Sequence, residues 1–146
     1  MEFAFEGKNA VNYLRCFQTK DYLSDIEFIP STDVTSLYPE YFKLWDINSE
    51  NIYISSLFAA SPLEMETNLD FTKSKMINHG SDADYSATYK ILIRHDRSNQ
   101  IPIEYSGQLI FRIINDGNDY WYINYWQDTR TDSLESWSML KISFSN

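Results

Sequence analysis

The sequence predicts an α+β domain, with N-terminal helices packed on a strongly curved, mainly antiparallel β-sheet. Three observations carry this reading. Apolar residues recur at helical spacing up to Pro62 and then switch to strict alternation. The alternating stretches run to about 9 to 12 residues, longer than the usual five or six, and strands of that length twist and curl. Turn clusters such as Asn115-Asp116-Gly117-Asn118 join them as hairpins. A curled sheet with helices on its concave face makes a cone with a pocket. The 146 residues suggest one domain, 1–146, long enough to bury a core without disulfides or metals.

Ala10, Leu14 and Phe17 fall at i, i+4 and i+7 and predict a first helix from about Lys8 to Thr19. Asp21-Tyr22-Leu23-Ser24-Asp25 breaks it. Ile26 to Ile29 reads as a short strand ended by Pro30. Leu37, Tyr41 and Leu44 repeat the helical spacing and predict a short helix that Pro39 could begin. A third helix starts near Asn48 or Ser49, with Glu50 favourable in its first turn, and Pro62 ends it. Ile47, Ile54, Leu57 and Phe58 mark its buried side.

The strands follow. Leu63 to Phe71 alternates with Glu64, Glu66, Asn68 and Asp70. Tyr85 to Ile93 alternates with Ser86, Thr88, Lys90 and Arg94. Ile103 to Ile113 alternates with Glu104, Ser106, Gln108 and Arg112. Gly107, mid-strand, is a place for a bend or bulge. Tyr120 to Gln127 is the last strand, aromatic on both faces. Trp121 and Ile123 share a face, and Trp126 falls on the other unless a bulge intervenes.

Composition excludes several classes. An aromatic share of 16% excludes a disordered tail, and 4 Gly with 4 Pro exclude collagen and flexible linkers. A net charge of −9 without a Lys/Arg cluster argues against nucleic acid and against an anionic membrane surface. Cys16 is the only cysteine, so no intrachain disulfide is available. The start, Met1-Glu2-Phe3-Ala4-Phe5-Glu6, lacks the basic head and apolar stretch of a signal peptide, and no apolar run reaches membrane-spanning length. The sequence leaves the location open: exported if a leader was trimmed, otherwise cytoplasmic.

Trp121-Tyr122-Ile123-Asn124-Tyr125-Trp126-Gln127-Asp128 reads W-x-I-x-x-W-x-D. Ser136-Trp137-Ser138-x-Leu140-Lys141 follows and resembles an S-W-G-x-L-K ending, with Ser138 in place of glycine. This pattern resembles the nuclear-transport-factor-2-like superfamily, the cystatin-like cone shared with ketosteroid isomerases and polyketide cyclases. More narrowly it resembles an uncharacterised bacterial branch, often exported or lipid-anchored. Asn9 to Leu14 and Lys20-Asp21-Tyr22 look like that branch's first helix, and Asp25 to Phe28 like its first strand. The resemblance covers most of the chain and implies the fold, not an activity.

Enzymes that share this cone resemble one another in needing a carboxylate or a His–Asp pair inside the pocket, with a pKa tuned by burial. The inward sets of the two central strands contain no carboxylate. Two weak catalytic candidates remain. Asp128 ends the last strand, where it could equally accept hydrogen bonds from backbone amides. His95 continues the apolar face of Tyr85 to Ile93 at a strand end; an edge histidine held by a loop carboxylate is the simpler reading. No metal-ligand spacing and no glycine-rich nucleotide motif occurs, so neither metal nor cofactor is expected.

Tyr85, Tyr89 and Tyr105 point inward by alternation, and with Phe111 and Trp126 they form an expected aromatic lining for a small apolar ligand. The competing reading is a core packed solid by the aromatic helices. The expected function is a non-catalytic, small-ligand-binding module. One alternative is a domain that forms homodimers through the outer sheet face, where Ser86, Thr88, Lys90, Ser106, Gln108 and Arg112 suit a wet interface. The other is an acid–base isomerase, cyclase or dehydratase.

Overall fold

In the computed structural model, which describes residues 1–145, the first predicted helix is broken into pieces. Helix α1 covers Glu2–Glu6, α2 covers Ala10–Leu14, and a 3-10 turn follows at Arg15–Phe17. Lys8 has φ 48°, a left-handed conformation through which no right-handed helix continues. Asn9 then restarts the helix, its side chain accepting from the Asn12 amide at 2.9 Å.

The helix expected around 37–45 is replaced by an earlier one. Helix α3 is Thr32–Leu37, and turns follow it. Pro39 is the cause: it disfavours helical geometry at Tyr38, which leaves the helix at φ −133°, ψ 62°. Phe42 and Trp45 are buried from this turn, while Leu37 and Leu44 are exposed. Helix α4, Ile47–Ala60, matches expectation, with Asp46 as its cap rather than Asn48 or Ser49. The Asp46 carboxylate accepts from both the amide and the hydroxyl of Ser49.

The sheet contains β1 (Glu27–Ile29), β2 (Thr67–Asn78), β3 (Asp82–Ile93), β4 (Glu104–Asn115) and β5 (Trp121–Thr129). Their order is β1-β5-β4-β3-β2. All neighbours are antiparallel except β1 and β5. The sheet is curled but not closed. Two bulges bend it, one in β2 between Thr72 and Lys75 and one where β5 pairs Arg112 and Ile113. The second bulge settles the tryptophan question. It brings Ile123 and Trp126 to the same inward face, opposite Ile113 and Phe111. Gly107 is not a bulge, since Tyr89 pairs with it in unbroken register. It makes room instead: a Cβ there would sit 2.5 Å from the Tyr89 hydroxyl and 2.5 Å from the Thr129 carbonyl oxygen.

A last helix, α5 (Trp137–Phe144), was not expected from the pattern. Trp137, Leu140, Lys141 and Phe144 fall at i, i+3, i+4 and i+7, and all four are fully buried. The helix lies on the concave face. Its Trp137 ring meets Trp126 edge-on at 4.7 Å and Tyr89 at 5.3 Å. On its other side Lys141 reaches Glu50 of α4. The cone is therefore filled by the chain's own final helix.

Candidate functional site

The interior of the cone holds two polar clusters, both under α5. The first is built on Glu50, which lies on the buried stripe of α4 with Ile47, Ile54 and Leu57 and is fully buried. Its carboxylate accepts from the Tyr13 hydroxyl at 2.7 Å and the Trp45 indole N–H at 2.8 Å. The Lys141 ammonium pairs with Oε2, the oxygen that also accepts from Trp45. Lys141 is also enclosed by rings, with its Nζ 4.0 Å from the Trp126 centroid, 4.5 Å from Phe28 and 4.9 Å from Tyr53. Such ring faces attract a cation. Burial nevertheless pulls the Lys141 pKa down to about 8, against the pull of Glu50.

The second cluster is built on Asp128, near the end of β5. One carboxylate oxygen accepts from the Tyr89 hydroxyl at 2.7 Å. The other accepts from the Ser138 amide at 2.7 Å and from its hydroxyl at 2.5 Å. Asp128 thus covers the start of α5, where backbone N–H groups lack partners within the helix. Tyr89 assists, its oxygen accepting from the Trp137 amide at 2.7 Å. The Ser138 hydroxyl accepts in turn from the Ser31 amide at 2.9 Å. That contact gives Ser138 a task that glycine could not perform. Burial raises the pKa of Asp128, while the bonds from Ser138 and Tyr89 oppose the rise.

His95 sits outside both clusters. It is buried, its Nε2 lies 3.0 Å from the Pro102 carbonyl, and its Nδ1 accepts from the Arg97 amide at 3.2 Å. This arrangement requires the neutral tautomer with hydrogen on Nε2. A loop carbonyl and amide hold it, not the carboxylate the sequence suggested. Its ring stands edge-on to Phe144, at the end of α5.

The expected ligand-lining residues are inward, the tyrosines and Phe111 by alternation and Trp126 by the β5 bulge. Tyr89, Tyr105, Phe111 and Trp126 are buried, and Tyr85 is half-buried and stacked on Phe111 at 6.2 Å. The Tyr105 hydroxyl donates to the Pro102 carbonyl at 2.8 Å. Phe111 and Trp137 both pack against Trp126. Two interior residues were missed, Glu50 and Lys141, while Asp128 was a weak catalytic candidate of the sequence. An interior judged from the central strands alone lacked carboxylates, yet Glu50 enters from a helix and Asp128 from β5. A charge on each of two apolar stripes, Glu50 and Lys141, was the available signal. Among the described residues, no group of three or more His, Cys, Asp or Glu could hold a metal ion, and no helix is long and apolar enough to cross a membrane.

Comparison with solved structures identifies the architecture. A protein of unknown function with a cystatin-like fold from Nostoc punctiforme superposes with a TM-score of 0.60 at 12% identity, covering 91% of this chain and 84% of that one. A nuclear-transport-factor-2-like superfamily protein from Salmonella enterica gives 0.61 at 9% identity, covering 90% and 84%. The chain has the nuclear-transport-factor-2-like, cystatin-like fold. A candidate aromatic ring hydroxylase from Novosphingobium aromaticivorans shares this fold, with a TM-score of 0.65, 10% identity and coverage of 96% and 87%. The chain spans 66% of a Mycobacterium tuberculosis protein of unknown function that also shares it. No family model matches the chain, and no curated protein matches it. Neighbours on the fold thus range from proteins of unknown function to a candidate hydroxylase, which is consistent with a ligand-binding fold.

Proposed function

We propose that this chain is a non-catalytic binding domain that works through its surface, with the outer sheet face as the contact for a second copy of itself. One observation carries the first half. Each carboxylate inside the cone is already held by the chain: Glu50 by Lys141, Tyr13 and Trp45, and Asp128 by Tyr89 and Ser138. A general base must lie within reach of a substrate proton, and both groups are buried beneath α5. A small apolar ligand among Tyr85, Tyr89, Tyr105, Phe111 and Trp126 would require α5 to withdraw.

The outer face supports the second half. Ser86 and Ile110 are shared by two adjoining hollows of about 230 Å³ and 370 Å³. Ile77 and Ile110 are exposed there, 46% and 41%, beside Tyr125. Charge favours a second copy at this face. Lys75, Lys90 and Arg112 stand with Asp70, Asp82, Asp84 and Glu104 among the outward residues of β2, β3 and β4. The face is thus near neutral on a chain of net charge −9, and two copies meeting elsewhere would repel more. Small polar residues with isolated apolar ones suit a wet interface.

Sedimentation velocity at micromolar concentration tests this. The expected result is a dimer that Ile110→Lys converts to a monomer. Ile110 is exposed, so the variant should keep its circular dichroism and lose no more than about 0.5 kcal/mol of stability. A wild-type chain that stays monomeric across the range overturns the proposal.

A further inference from the structure

We propose that the cleft between the Arg15–Phe17 turn and the β4–β5 hairpin binds a small planar anion, an aromatic ring carrying a carboxylate. The cleft has a volume of about 360 Å³ and is lined by Arg15, Gln18, Lys20, Tyr120 and Trp121. Its tryptophan is the exception in this molecule. Trp45, Trp126 and Trp137 are buried, whereas Trp121 is 45% exposed and its neighbour Tyr120 is 52% exposed. Two adjacent aromatic side chains left in water are an unsatisfied apolar surface.

The polar half of the site is cationic. Arg15 and Lys20 form no ion pair among the described residues. On a chain of net charge −9, Arg15 and Lys20 beside an exposed indole are a local departure from the general acidity, with the Asp116 carboxylate also acting on Lys20. One guanidinium nitrogen of Arg15 donates to the Asn12 side-chain oxygen at 3.0 Å, which positions the group while leaving further donors. A guanidinium and an ammonium match a carboxylate, and an indole face matches a flat ring.

The cleft is also held in shape before any ligand arrives. Asp116 ties its two walls together. Its carboxylate accepts from the Lys20 amide at 2.8 Å on one side and from the Asn118 amide at 2.7 Å on the other. These backbone bonds, the Lys20 amide first, hold the Asp116 pKa below the ordinary range, so the carboxylate stays in place as a structural acceptor. Gly117 at φ 84° lets the hairpin turn tightly enough to present Tyr120 and Trp121 together. A site fixed in advance loses less ordering entropy on binding. The cleft lies apart from the outer face, so the failure of either proposal leaves the other standing.

Nuclear magnetic resonance of ¹⁵N-labelled full chain tests it, with benzoate as the probe. The Trp121 indole N–H signal is assigned by its loss in Trp121→Phe. Benzoate is expected to shift that signal and the amides of Gln18 and Lys20. Benzamide lacks the charge and acetate lacks the ring, and each should bind at least about tenfold more weakly, the equivalent of one charge-assisted hydrogen bond. Arg15→Glu with Lys20→Glu, both at exposed positions, should weaken benzoate by about tenfold or more. No shift with benzoate, an equal response to benzamide, or unchanged binding in the double variant would each overturn the assignment.

Discussion

The two faces of one sheet have opposite fates. Along β3, Tyr85, Ala87, Tyr89, Ile91 and Ile93 face inward, while Ser86, Thr88 and Lys90 face outward. The inward set faces α5, and the Tyr89 hydroxyl bonds both Asp128 and the Trp137 amide. The outward set of β3 is half-buried to exposed among the described residues. On this fold the concave face is the natural place for a ligand, but here a helix of eight residues occupies it. Trp137 fills the space against Trp126, and Lys141 sits in the aromatic cage above Glu50. The lesson is that an aromatic inward face does not by itself make a pocket. What the chain places over that face decides, and here α5 fills it.

The largest test breaks the interior pair. Glu50→Gln leaves the Lys141 ammonium buried among rings without its counter-charge and is expected to cost about 3–5 kcal/mol. Urea unfolding followed by circular dichroism measures it. The double variant Glu50→Gln with Lys141→Met should recover a large part of the loss, because an apolar chain of similar length fills the cage without a charge to bury. A double variant as unstable as the sum of its single changes would mean that the pair is not coupled. The interior would then be held by packing alone.

A smaller test sharpens the steric side of the contrast. Gly107→Ala places a methyl group against the Tyr89 ring and the Thr129 carbonyl. Overpacking of this kind costs about 1–3 kcal/mol. The backbone carbonyl cannot swing aside, so relief must come from Tyr89. Its movement would loosen the bonds to Asp128 and the Trp137 amide that hold the start of α5. The expected signature is faster amide exchange at Trp137 and Ser138 than at residues of α4. Uniform exchange in both helices would separate Gly107 from the seating of α5.

Much of this contrast was legible in the chain, and the rest was hidden for physical reasons. Strict alternation at Tyr85–Ile93 fixed the inward residues, because a strand's side chains can only alternate. The same rule left Trp126 open, since one extra residue in β5 reverses facing and alternation carries no sign of it. Pro39 stopped a helix that the spacing of Leu37, Tyr41 and Leu44 otherwise supports. Glu50 looked like a favourable residue of a first helical turn, which it is. Its burial depends on Lys141, 91 residues later, and no local pattern couples the two. The role of Asp128 as an acceptor for backbone amides was readable as an option. That the amide belongs to Ser138 required knowing that α5 folds back over the sheet.

The mildest test uses pH. In the folded chain burial holds the Lys141 pKa at about 8, against an ordinary value of 10.5 when unfolded. Below pH 8 the lysine is charged in both states. Between about 8 and 10.5 the unfolded chain keeps a proton that the folded chain has lost. Stability from this group therefore rises with pH in that window and is lost as pH falls through the folded pKa. Buried tyrosines act the other way at the upper end: burial raises Tyr13, Tyr53 and Tyr89 well above their ordinary 10.0, so their contribution is whole below that value and is lost as pH rises beyond it. The comparison is cleanest between pH 7.5 and 9.5, with wild type measured against Lys141→Met, in which the lysine proton is absent. The stability of wild type relative to that variant should climb with pH across the window. A flat difference would mean that the ammonium keeps its proton throughout, with Glu50 and the four surrounding rings outweighing the cost of burying it.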